Sequence, residues 1–166
     1  MKKKTRGVKK DMVRAEVRNL VHGPSYMTFE DAVAGFPMKH INTRPPNIAY
    51  SPWHLLEHMR LAQRDILDYI RDPDYRAPKW PDDYWPRVEE EADAKAWKKT
   101  VDAFIRDRAA LENIAADPRT SLSAPLPYAK QHTIIRELAI ASEHNTFHIA
   151  EFAILRQVMG TWPARR

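Results

Sequence analysis

SPWHLLEHMRLAQRDILDYIRDP, residues 51–73, decides how this chain is read. Ser51 is a favoured N-cap and Pro52 fits the first helical position, where its missing N–H costs nothing. Leu55, Met59, Ala62, Ile66, Tyr69 and Ile70 then recur at helical spacing, and Pro73 stops the run. A helix of this length with one apolar stripe needs partners of the same kind.

The rest of the chain supplies them. Towards the N-terminus, Asp11 to His22 carries Val13, Val17, Leu20 and Val21 on one stripe, and GPSY ends it. TFED, 28–31, predicts a capping box on a short helix that stops before Pro37. Towards the C-terminus, Glu89 to Ala116 and His132 to Met159 read as two more long helices, the last closed by Gly160 with Pro163 beyond. The 13 prolines lie mostly between these patterns, and no run alternates long enough to predict a strand. The expectation is an all-α four-helix bundle with an extra short helix and long proline- and aromatic-rich loops.

With 166 residues the chain fits one domain, placed at 11–166. The net charge of +5 is concentrated at the start: residues 1–10 hold six of the 27 Lys and Arg, leaving 21 against 22 acidic residues. We therefore read 1–10 as a basic, disordered tail rather than a nucleic-acid surface. No apolar segment follows it as in a signal peptide, no run is long enough to span a membrane, and there is no cysteine. A cytoplasmic location is expected, without membrane or nucleic-acid partners.

Seven histidines include two i,i+4 pairs, His54/His58 and His144/His148. Random placement gives roughly 0.3 such pairs. Residues four apart share a helix face, so each pair offers two imidazoles to one divalent ion, with a third ligand required from another helix. Around the last helix His144 and His148 fall with Ala141, Glu151, Phe152 and Leu155 on the inward side. The alternative is a set of hydrogen-bonded core histidines, which is the reading kept for His22, His40 and His132. Trp53, Trp80, Tyr84 and Trp85 either staple the loop over the bundle or wall a substrate pocket, with Trp53 and Trp85 the substrate-contact candidates.

YSPWHLLEHMRLAQRDIL (50–67), WPDDYWP (80–86) and TIIRELAIASEHNTFHIAEFAILRQVMGTW (133–162) together resemble the DinB-like superfamily of four-helix-bundle metalloproteins. The resemblance implies a divalent metal, nickel or zinc, held by His58, His144 and His148. It also implies a homodimer and a small-molecule substrate. Thiol-dependent transferases using bacillithiol or mycothiol, isomerases and hydrolases occur among such proteins; the alternative is a metal-binding module without turnover. His54 does not match a ligand position; it is expected to assist from nearby, directly or through a water, or simply to pack against the WPDDYWP loop. Ala150 stands where Gly is common after the second His, and Glu151 where Gln is frequent. Glu151 is expected to hold an imidazole N–H, bind the metal, or act as general base.

Overall fold

The computed structural model describes residues 2–162, with side chains from Asp11 onward. Five helices carry it: α1 (Lys2–His22), α2 (Phe29–Val33), α3 (Pro52–Arg71), α4 (Ala94–Ala116) and α5 (Ile134–Val158). The four long ones form the expected bundle. α1 and α3 each pack against both α4 and α5, so the order around the bundle is α1, α4, α3, α5.

Local chemistry sets the ends of these helices. The Ser51 hydroxyl accepts from the His54 N–H, with Pro52 in the first turn of α3. Thr28 and Asp31 complete the capping box of α2. Gly160 takes φ 59° just past α5, the left-handed geometry its lack of Cβ permits. Two boundaries differ from expectation. α4 begins at Ala94, not Glu89, because the Asp93 side chain accepts from the Ala96 N–H and starts the helix there. α5 begins at Ile134, not His132, because Ala129–Thr133 (β2) pairs antiparallel with Pro125–Leu126 (β1), and Thr133 then caps the helix.

A third difference concerns the basic N-terminal stretch. Where the sequence suggests a solvated tail, the backbone continues α1 back to Lys2. Lys and Arg are good helix formers and no proline interrupts them. The side chains of residues 1–10 lie outside the described set, as do Met1 and residues 163–166.

Two apolar clusters fill the bundle. One joins Phe29, Phe36, Trp53, Leu55, Leu56, Met59, Trp97, Phe104, Ile149 and Phe152. The other joins Val17, Val21, Leu67, Leu111, Leu138 and Ala141. Along α3 the buried Gln63 lies between them, and along α5 so does Asn145. Gln63 Nε2 donates to the Phe104 carbonyl and Asn145 Nδ2 to Gln63 Oε1, both at 2.8 Å, tying α3, α4 and α5 together at one level. Arg156, with no exposed surface, donates to the carbonyls of Ala32, Ala34 and Thr161 and fastens α2 to α5. No described helix is long and apolar enough to cross a membrane.

Candidate metal centre

α3 and α5 face each other, and at that seam three imidazoles meet. His58 Nε2 lies 3.2 Å from His148 Nε2 and 3.2 Å from His144 Nε2. Among the described residues, His58, His144 and His148 form the one group of three or more His or acidic side chains whose ligand atoms all lie within 4.8 Å of one another. His58 and His148 are buried and His144 is partly so.

The far sides of the rings decide which nitrogens carry hydrogen. His58 Nδ1 lies 2.8 Å from the Tyr84 carbonyl, which only accepts, so the hydrogen sits on Nδ1. His148 Nδ1 lies 2.6 Å from Glu151 Oε2 and is a donor for the same reason. In the neutral rings both Nε2 atoms are therefore bare lone pairs, pointing at each other across 3.2 Å. Two acceptors at that distance repel unless a cation stands between them. Two imidazole nitrogens bound tetrahedrally at 2.0–2.1 Å lie about 3.3 Å apart. The donor set and its spacing fit a divalent metal ion.

Burial favours the neutral, ligating form of His58 and His144. Burial lowers the His58 pKa, and His148 adds to this against the opposing pull of the Tyr84 carbonyl. His144 is brought down to about 4, by burial first and then by His148 and His58. Trp85 stacks flat on His58, with ring centres 3.9 Å apart and 4° between planes, and shields that ring from solvent.

Glu151 does not join the three rings; it holds one of them. Its second oxygen accepts from the Tyr50 hydroxyl. Burial pushes the Glu151 carboxyl up, but the hydrogen bonds from His148 and Tyr50 outweigh it and keep the group below the usual carboxylate range. The Tyr50 phenol is pushed up, by burial first and then by Glu151. Holding an imidazole N–H is thus the Glu151 role that the geometry displays.

His54 goes elsewhere. Its Nε2–H donates to the Arg87 carbonyl at 3.0 Å, and its Nδ1 accepts from the Ser51 hydroxyl at 2.5 Å. Both nitrogens are used, and they pin the loop after α3 to the start of that helix. Trp53 is buried in the core beside His54, away from the three rings. Of the two tryptophans, Trp85 is the one that stacks on a ring of the site.

Three contributions escaped the sequence reading: the hydroxyl of Tyr50, just before the cap of α3, the main-chain carbonyl of Tyr84, and the Asp65 carboxylate, which accepts from the hydroxyls of both Tyr75 and Tyr84. Asp65 lies seven residues after His58 on α3, so this anchor sets the loop whose carbonyl holds His58. For Asp65 and Tyr50 the signal available was a polar residue beside a histidine-bearing face; a main-chain carbonyl leaves none.

The DinB superfamily model matches residues 25–152, a span that holds all three histidines. No curated protein and no solved structure matches the chain significantly.

Proposed function

The chain belongs to the DinB superfamily, and from that premise we propose that it is a metal-dependent enzyme whose divalent ion, zinc or nickel, is held by His58, His144 and His148. The observation that carries this is the convergence of three Nε2 atoms, two of them stripped of hydrogen by Tyr84 and Glu151. Three neutral ligands leave the ion its full charge and an open position, where it supplies Lewis-acid activation of a water or a small thiol. The reaction class this favours is thiol-dependent transfer or hydrolysis on a small molecule.

The chain's own residues prepare the site. Glu151 and the Tyr84 carbonyl keep His148 and His58 in the ligating tautomer, and Tyr50 fixes the orientation of Glu151. Trp85 keeps water off His58. Phe147 stands exposed beside His148, with ring centres 5.0 Å apart, and offers an apolar contact on the solvent side.

One observation favours a second reading, a metal-binding module without turnover: both Glu151 oxygens are engaged, which leaves no free carboxylate base at the centre among the described residues. Elemental analysis of protein purified without a metal-affinity column tests the metal. One equivalent of zinc or nickel, lost in His148→Ala, is expected; metal-free protein that takes up neither ion on titration refutes the proposal. Calorimetry with a panel of small thiols then separates the two readings, since the enzyme binds thiol only when metal-loaded and the module does not bind it at all.

A further inference from the structure

Where α3 meets α5 it builds the candidate metal centre; where it meets α4 it leaves a cleft of about 380 Å³, within the usual range for small-molecule sites. We propose that this cleft binds a small organic anion, recognising its carboxylate or phosphate group with Arg60, Lys99 and Arg106. The site is separate from the metal centre and stands or falls without it.

Helix periodicity makes the space. Trp53, Glu57 and Arg60 recur at i, i+4 and i+7 on α3, and Ala96, Thr100 and Ala103 do the same on α4, so each set shares one face. The α4 side chains at this level are small, and the groove between the helices stays unfilled. Trp53, 8% exposed, and the two alanines give the cleft apolar walls. Lys99 and Arg106 line it from exposed positions.

The charge on these walls is unbalanced. Glu57 is the one acid in the lining, and its oxygens are already engaged. Arg60 donates Nε to Oε2 at 3.0 Å and Nη2 to Oε1 at 2.5 Å, and the Thr100 hydroxyl donates to Oε2 at 2.8 Å. The forked contact fixes the guanidinium in place, while its Nη1 has no hydrogen-bond partner among the described residues. Lys98 takes Asp102, and Lys99 has no acid partner among the described residues. Arg106 reaches Asp107 at 3.3 Å but keeps its side chain 67% exposed. Three cations thus line the cleft against one acid, and counting Asp107 still leaves one positive charge over. The cleft around Asp65, Asp68, Asp72 and Asp83 has the opposite balance, with Arg64 and Arg76 outnumbered. A positive cleft with low-dielectric walls concentrates anions, and the apolar walls suit the organic part of the ligand.

The test is calorimetry with phenyl phosphate and with benzoate, on the full chain stripped of metal and dialysed free of chelator. Binding of one equivalent at a Kd of about 1 mM or below is expected, and the tighter probe names the anionic group. An exposed ion pair is worth up to about five-fold in an equilibrium constant. Lys99→Glu combined with Arg106→Glu, both at exposed positions, should therefore weaken binding about 10-fold or more. Lys39→Glu combined with Lys130→Glu makes the same change in net charge elsewhere on the surface and should bind as the wild type does. No binding of either probe to the wild type up to about 10 mM overturns the proposal. So does an equal loss in both double variants, or a loss in neither. Amide NMR of the wild type locates the probe without any variant. Shifts at Thr100 and Ala103 are expected, and shifts confined to the basic stretch 1–10 or to other surfaces refute the cleft.

Discussion

Replacing Glu151 separates the three roles a carboxylate can play beside this centre. In the structure Glu151 accepts from His148 Nδ1 at 2.6 Å and from the Tyr50 hydroxyl, with its side chain 27% exposed. Hydrogen bonds to a charged partner contribute about 1.5–3 kcal/mol, and outer partners of metal-bound histidines are worth about 10- to 100-fold in affinity. Glu151→Gln keeps a carbonyl oxygen for His148 and an amide that faces the Tyr50 oxygen, and loses only the charge. We expect its zinc affinity to fall about 10-fold, near 1.4 kcal/mol. Glu151→Ala leaves His148 Nδ1–H and Tyr50 without their acceptor, and the loss should approach 100-fold. The assay is competition with a chromophoric chelator at neutral pH, with thermal unfolding in EDTA to confirm that each variant is folded. Full affinity in Glu151→Ala would refute the supporting role. Binding abolished in Glu151→Gln as completely as in His148→Ala would make the carboxylate a direct ligand. Unchanged affinity with lost turnover would make it a base.

Further outcomes follow from particular contacts. Arg156→Met leaves three carbonyls without their donor and should cost about 3 kcal/mol in urea unfolding; a change under about 0.5 kcal/mol would mean those carbonyls find other partners. In EDTA the folded state keeps His144 neutral down to about pH 4, while the unfolded chain protonates it near 6.5. The unfolded state then binds more protons, so stability is full above pH 6.5 and falls as pH drops towards 4, a slope that His144→Ala should flatten. Trp85→Ala removes the ring stacked on His58, a contact worth about 1 kcal/mol, and should weaken zinc binding about five-fold; unchanged affinity would confine Trp85 to packing the loop.

The bundle was legible in the sequence because its determinants are local: a cap, a proline and an apolar stripe lie within one helix. The candidate metal centre was half legible for the same reason. His144 and His148 share a face by spacing alone, and the structure places both rings at the seam. Spacing misjudged His54, though it sits on the same face as His58, because it lies within the first turn of α3. There the cap hydroxyl of Ser51 and the returning loop carbonyl of Arg87 reach it first. The hairpin at 125–133 was invisible since its two strands are short and its pairing begins at a proline. What turns three histidines into a ligand set is contributed across 26 to 101 residues, by the Tyr84 carbonyl to His58 and the Tyr50 hydroxyl to Glu151. A main-chain carbonyl has no residue type, and a tyrosine before a cap has many uses. Neither becomes a metal-site element until the fold sets an imidazole N–H against it. The candidate ligands of this centre are a property of helix periodicity, whereas its tautomers are a property of loop packing, and only the first is written in the chain at short range.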